Sequence, residues 1–331
     1  MIQNGAIPEG KMENFDQVYD AKINDINEQL GQTVLFVLIG DVNTGKSSTI
    51  NELMGCQVAD IASQPGETQQ IQEYVYREKI IFADTPGLHD IMKDNSKQSL
   101  RYYRNADVIL FFLNAAGTVL SAPEKAVFDK VKKSNDNIII VLNKIDAAED
   151  ISSLVEYVKR HTGQKYPVIP ISSKTGANMD KLRGKILDLL SGKALTFARE
   201  MKNKSIAANK WIYSAATAAA SIGASPLPGV DIIPITSIQI GMLLKLSALY
   251  HEPISKSKAK EIILATLVGN AGRALFRQGI KFFPGFGSLL GAGVAGSVTY
   301  ALGQAVKHAY ENGLEINADS IGHLIRRYRN S

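Results

Sequence analysis

Val34-Leu35-Phe36-Val37-Leu38-Ile39 runs without interruption into Gly40-Asp41-Val42-Asn43-Thr44-Gly45-Lys46-Ser47, and this junction decides the fold. Six consecutive apolar residues read as a strand covered on both faces. The octapeptide behind them matches G-x-x-x-x-G-K-[S/T] at every fixed position. Its glycines let the backbone fold around a phosphate chain with several N–H groups turned inward. The helix expected from Ser48 to residue 54 offers its positive end to the same charge. Lys46 reaches the β and γ phosphates, and the Ser47 hydroxyl ligates Mg²⁺. Asn43, Thr44, Gly45 and Ser48 complete the phosphate-binding side.

Outward from this junction, short β-branched runs at 71–76, 80–83, 108–113, 138–142 and 168–171 alternate with helix-compatible stretches. That alternation predicts a mostly parallel sheet covered by helices. Residues 76 and 80 are separated only by Arg77, Glu78 and Lys79, too few for a crossover helix, so this pair should be an antiparallel hairpin at the sheet edge. The expected class is therefore α/β over residues 31–192: a six-stranded, mostly parallel sheet with one antiparallel edge strand and helices on both faces. Residues 193–331 show no strand pattern and are expected to be all-helical. Over residues 1–30, Phe15, Val18, Tyr19, Ile23, Ile26 and Leu30 form one stripe at helical spacing, which predicts a helix over 12–30 packing on the C-terminal half.

Three further motifs stand at strand ends and name the nucleotide. Asp84-Thr85-Pro86-Gly87 follows the strand at 80–83, so the Asp84 carboxylate can hold Mg²⁺ through water while the Gly87 amide bonds a γ-phosphate. Asn143-Lys144-Ile145-Asp146 ends the strand at 138–142. A carboxylate there accepts two hydrogen bonds from guanine N1 and N2; adenine has no such donor pair, and losing a buried polar match of this kind costs about 10⁴ in discrimination. Ser172-Ser173-Lys174 follows the strand at 168–171, on the side of the sheet where a base lies. An adenine-specific ATPase is the remote alternative.

Composition sets the outer limits. With 331 residues, 45% hydrophobic and 21% charged, the chain has the make-up of a two-domain globular protein, not of a disordered or disulfide-rich one. One cysteine, Cys56, cannot form an internal bridge, and the first thirty residues lack a basic start and apolar core; the expected location is the cytosol. The net charge of +5 hides an asymmetry: residues 193–331 carry 16 Lys and Arg against 7 Asp and Glu, a net of +9, which leaves the rest at −4. A basic helical half suits an anionic partner, a phospholipid surface or a nucleic acid. Residues 211–244 contain one charge, Asp231, and 282–306 none. Gly287 and Gly291 form a small-xxx-small pair suited to close helix packing, in lipid or in a soluble bundle.

With these motifs in view, residues 31–192 resemble the Era and TrmE-like branch of the translation-factor-related GTPases. The resemblance places the five guanine-nucleotide motifs at 40–47, at Thr68 in Pro65-Gly66-Glu67-Thr68, at 84–87, at 143–146 and at 172–174. It implies GTP and GDP as ligands, hydrolysis assisted by Lys46, Thr68 and Gly87, and Mg²⁺ held by Ser47, Thr68 and Asp84. Two departures from the best-known small GTPases bear on mechanism. Leu88 stands where others carry a water-orienting glutamine, so His89, or Arg77, Arg101 or Arg104 acting in trans, is a candidate helper. Asn43 matches the asparagine that in potassium-activated relatives helps hold K⁺ beside the phosphates. Residues 193–331 resemble a helical domain of unassigned role that follows Era-like domains in bacteria, through Ser225-Pro226-Leu227-Pro228, Asp231, Gln239 and the glycines after Pro284. Here Pro226 and Pro228 are expected to end one helix and fix a turn, and Asp231 suits the start of the next as cap or first-turn anion. Expected partners are the guanine nucleotide, an anionic membrane surface, and a homodimer or protein effector. RNA is disfavoured, because residues 193–331 contain no GxxG loop carrying basic residues and no aromatic stacking motif.

Overall fold

A computed structural model describes residues 9–58, 71–85, 97–223, 232–268 and 290–327. Six strands, β1 (Val34–Ile39), β2 (Gln72–Tyr76), β3 (Ile80–Asp84), β4 (Val108–Asn114), β5 (Ile138–Asn143) and β6 (Val168–Pro170), form one sheet in the order β2-β3-β1-β4-β5-β6. Only β2 runs antiparallel, against β3. The three-residue link explains it: Arg77 and Glu78 take positive φ of 50° and 60°, reversing the chain where a crossover has no room. The remaining pairs, β1 with β3 and β4, and β4–β5–β6, are parallel. Successive connections place β3 on one side of β1 and β4 on the other, so the strand order reverses beside β1. A crevice opens at the carboxyl end of a strand at such a point, and the phosphate-loop sequence stands there.

Strands β1, β4 and β5 are buried on both faces, which is why they read as continuous apolar runs. On one face Phe36 stacks on Phe82, ring centroids 5.0 Å apart, and tilts against Phe197 at 5.3 Å. On the other, Phe111 meets the edge of Phe128 at 5.4 Å, and Phe128 meets Tyr166 at 5.2 Å. Such aromatic pairs add about 0.5–1.5 kcal/mol each beyond the area they bury.

The chain divides into two compact units: residues 29–203, and residues 1–28 with 204–331. The division falls at 203/204, eleven residues beyond the expected one, because the helix Ala194–Glu200 buries Ala194, Leu195, Phe197 and Ala198, and its Thr196 hydroxyl donates to the Gln29 carbonyl at 2.7 Å. Within the second unit every described element is helical: Lys204–Gly223, Ile232–Tyr250, Lys256–Val268, Leu290–Glu311 and Ala318–Arg327, joined by the amino-terminal part of the helix Glu9–Gly31. That last helix buries Phe15, Tyr19 and Ile26 of the expected stripe. Its Tyr19 hydroxyl donates to the Ile254 carbonyl at 2.6 Å, and Lys256 reaches Asp20 at 2.8 Å. Helices Lys204–Gly223 and Leu290–Glu311 approach through small residues: a Cβ on Gly296 would stand 2.9 Å from that of Ala220, and one on Gly303 would stand 2.8 Å from Ile212. Among the described residues no helix is long and apolar enough to cross a membrane. Pro226, Pro228, Asp231, Pro284 and Gly287 lie outside the described residues.

Candidate functional site

The loop from Gly40 to Gly45 is held by its own hydrogen bonds. The Thr44 amide and hydroxyl both donate to the Asp41 carbonyl, at 3.3 and 2.8 Å, and Asn43 and Gly45 take left-handed backbone with φ of 63° and 88°. No larger residue fits at Gly45, because a Cβ there would stand 2.2 Å from Nδ2 of Asn143; one at Gly40 would meet Phe112 at 2.8 Å. The helix Lys46–Met54 starts directly after the loop, so its free N–H groups face the same space. That space is a cleft of about 440 Å³ lined, among the described residues, by Val42 to Ser48, Gln72, Asp84 and Thr85.

Lys46 is the cation of the cleft. Its ammonium donates to the carbonyls of Gly40 at 3.0 Å and Asp41 at 3.3 Å, and it stands 3.7 Å from Oδ1 of Asp84. Asp84 ends β3, and burial holds its carboxyl above the usual carboxylate range even though Lys46 pulls it back. At 3.7 Å the ammonium is too far for a hydrogen bond, and Oδ1 of Asp84 is buried with no hydrogen-bond partner. A buried carboxylate oxygen left unsatisfied in a cleft that the exposed Ser47 also lines suits a small hard cation. The neighbouring Thr85 hydroxyl is turned away, donating to the Leu38 carbonyl at 2.8 Å.

Ends of β5 and β6 supply the second half of the site. Asn143 is fully buried, and its side chain ties three segments: Nδ2 donates to the Thr44 carbonyl at 2.9 Å and to the Ser173 hydroxyl at 3.2 Å, while Oδ1 accepts from the Ser173 amide at 3.1 Å. Ser172, also buried, donates its hydroxyl to Oδ1 of Asp146 at 2.6 Å and accepts from the Thr175 amide at 3.1 Å. That hydrogen bond holds the exposed Asp146 carboxyl below the usual range, so it remains an acceptor. Lys144 takes φ of 65°, which turns the chain between the buried Asn143 and the exposed Asp146. Lys174 is exposed beside them.

Of the residues singled out from sequence, Asn43, Thr44, Gly45, Lys46, Ser47, Ser48 and Asp84 therefore share one cleft, and Asn143, Lys144, Asp146, Ser172, Ser173 and Lys174 form the adjoining cluster joined to it through Asn143 and Thr44. Thr68, Gly87, Leu88 and His89 lie outside the described residues. Two participants were not anticipated. Gln72 lines the cleft because the β2–β3 register sets it opposite Asp84. Arg183 is buried and donates Nε to the Leu53 carbonyl at 3.4 Å and Nη2 to the Glu52 carbonyl, capping the far end of the helix Lys46–Met54. No local pattern signals that contact, which spans 130 residues.

Residues 35–144 match the family model described as 50S ribosome-binding GTPase, and residues 184–312 match that of a domain of unknown function, DUF697. GTPase Era of Aquifex aeolicus is 31% identical over 180 residues, covering 50% of this chain and 59% of that one. GTPase Era of Alkaliphilus metalliredigens is 29% identical over 161 residues, covering 46% and 54%. The chain thus spans somewhat over half the length of these relatives. Among solved structures, a probable GTP-binding protein engB is similar with a TM-score of 0.40 at 20% identity, over 48% of this chain and 99% of that one. Era in complex with MgGDPNP and a 16S ribosomal RNA segment gives 0.37 at 21%, over 56% and 67%.

Proposed function

We propose that this chain, an Era-like GTPase domain joined to a DUF697 helical domain, binds GTP, hydrolyses it to GDP and phosphate, and works as a molecular switch. The observation that carries the reading is the bridge made by Asn143: one buried amide hydrogen-bonds the phosphate loop at Thr44 and the β6 loop at Ser173. The two recognition elements are thereby held as a unit able to grip both ends of one nucleotide. In this reading the exposed Asp146 carboxylate, oriented by Ser172, accepts from guanine, with Lys144, Ser173 and Lys174 lining the base side. Lys46 exchanges its hold on the Gly40 and Asp41 carbonyls for the β and γ phosphate oxygens, and the loop amides with Thr44 and Ser48 complete the cradle. Ser47 and Asp84 would hold Mg²⁺, which when bound neutralises charge on the phosphates. Thr68 and Gly87 are assigned by motif to the γ-phosphate side, where their release after hydrolysis relaxes the loops. Catalysis then consists mainly of positioning and charge neutralisation, so intrinsic turnover is slow. Asn43, exposed at the cleft mouth, is the residue through which K⁺ would stimulate it.

Calorimetry on the full chain tests the central assignment: strong heat with GDP and none with ADP is expected, and equal response to both would end it. Phosphate release compared in KCl and NaCl tests the cation; identical rates remove the role given to Asn43.

The output is assigned to residues 193–331, whose net charge of +9 supports an anionic membrane surface as partner, with the protein cytosolic and peripherally bound. The description of the family matched by residues 35–144 favours a ribosomal or RNA partner as the second reading. A soluble protein effector is the third. Flotation with anionic vesicles, loaded with GTP or GDP, supports the first if binding follows the nucleotide; an RNA mobility shift that fades with rising salt supports the second.

A further inference from the structure

Lys210 and Lys245 bound the nearly uncharged run 211–244, one directly before Trp211 and the other directly after Leu244. The fold brings them together. Helices Lys204–Gly223 and Ile232–Tyr250 pack so that the Lys245 ammonium stands over the Trp211 ring, 4.4 Å from its centroid, and close enough to Lys210 to feel its charge. All three side chains are partly buried. Burial, with the like charge of Lys210 added, holds the Lys245 ammonium below the usual lysine range. Among the described residues Lys245 has no carboxylate and no hydrogen-bond acceptor as partner, and the ring face, which attracts a cation, offers no lone pair to its three N–H donors. A third lysine lies one turn away on the same helix face: a Cβ on Gly241 would stand 3.6 Å from Cδ of Lys22. The acid beside Lys22, Asp25, is an exposed partner at 3.8 Å. Positive charge is thus gathered and partly desolvated with nothing in the cluster to balance it, a cost that an anion would repay.

From this cluster we infer that Lys245, Lys210 and Trp211 form a binding site for the phosphate group of an anionic phospholipid. Two features favour a lipid headgroup over a free phosphate. Tryptophan, tyrosine and lysine are the side chains that sit at headgroup depth, with an apolar body toward the acyl chains and a polar end toward the phosphate, and here Tyr213, 58% exposed, stands one turn from Lys210 beside Trp211. Beyond the two lysines, residues 211–223 and 232–244 carry no charge, so the apolar part of a lipid meets no ion on these helices. The inference rests on the anionic surface proposed above as partner, and names the contact through which the chain would hold it.

Trp211 is the one tryptophan of the chain, so its fluorescence reports on the site directly. Titration of the full chain with soluble dihexanoyl phosphatidylglycerol should give a saturable change in emission. Dihexanoyl phosphatidylcholine, whose choline opposes the lysines, should bind about tenfold more weakly, and inorganic phosphate more weakly still. Lys245→Met keeps the apolar stem and should lose affinity on the order of tenfold, while its urea unfolding midpoint stays the same or rises, because the charge removed was unbalanced. Lys245→Arg should retain binding. Lys258→Met removes an equal charge elsewhere in the unit, from a loose pair with Glu315 at 4.0 Å, and should bind like wild type. Flotation with anionic vesicles separates the site from the surface reading. A wild type that responds to phosphatidylglycerol through Lys245 yet does not float removes the surface reading and keeps the site. A wild type that floats, with Lys245→Met floating and titrating like it, keeps the surface reading and overturns the inference. No response to phosphatidylglycerol, an equal response to inorganic phosphate, or a Lys258→Met chain as weak as Lys245→Met overturns it as well.

Discussion

Glycine does different work in the two units. In the sheet unit Gly45 is required because its backbone is left-handed, which few side chains favour, and because an added Cβ would stand 2.2 Å from the Asn143 amide nitrogen, which leaves room for none. In the helical unit Gly296 and Gly303 sit within regular helix, and what they provide is absence: room for Ala216 and Ala220 in one case, for Ile212 and Met242 in the other. The first use shapes a concave binding loop and can be recognised from a motif. The second is a matter of which helix lies opposite, and at Gly296 and Gly303 the missing side chain permits close helix packing.

Substitutions can break this contrast, and they rank by how much each position is asked to do. Asp146→Asn should have the largest effect, moving preference from guanine toward xanthine nucleotides by about 10³ or more, read from paired titrations with GDP and XDP. Gly45→Ala adds roughly 1–2 kcal/mol of left-handed strain to a steric conflict of similar size, so GDP affinity should drop on the order of a hundredfold. Gly303→Val overpacks the helix contact and should destabilise the protein by about 1–3 kcal/mol in urea unfolding. Gly184→Ala is the control. It lies inside the helix Met179–Leu189 with nothing within 4 Å of an added Cβ, and should stabilise by about 0.5–1 kcal/mol. If Gly303→Val behaves like Gly184→Ala, the packing side of the comparison fails.

The two units also part in their response to pH. In the sheet unit burial keeps the Asp84 carboxyl above the usual range, so it takes up a proton at a higher pH than an exposed aspartate; Mg²⁺ affinity should weaken as pH falls, and Asp84→Asn should remove that dependence. In the helical unit burial pushes the Tyr310 phenol up to about 12, and burial with a hydrogen bond to Glu311 raises Tyr250 further. Stability from these phenols is intact below the ordinary tyrosine value near 10 and is lost as pH climbs from there toward the folded value. Tyr250→Phe should flatten the alkaline loss, measured as urea midpoint against pH.

Much of the sheet unit was legible in one dimension because its signals are local and periodic. Strands buried on both faces must be apolar throughout, a three-residue link cannot cross over, and each ligand motif must follow a strand end. The six expected strands agree with the observed ones to within a residue at each end. What escaped is of another kind. Gln72 enters the cleft by cross-strand register, and Arg183 reaches the carbonyls of Glu52 and Leu53 from a helix far along the chain. The helix Ala194–Glu200 belongs to the sheet unit because Phe197 fits against Phe36. None of these leaves a trace in composition, since each depends on which surface happens to lie opposite.

From sequence alone came the α/β class, the antiparallel edge and a set of motif residues that share one cleft and the cluster beside it, all dictated by backbone geometry and hydrogen-bonding chemistry acting within a few residues. Tertiary structure decided where the units divide, how Asn143 links the phosphate loop to the β6 loop, and which glycines serve helix contact. Those depend on distances between segments far apart in the chain, and only the folded packing sets such distances.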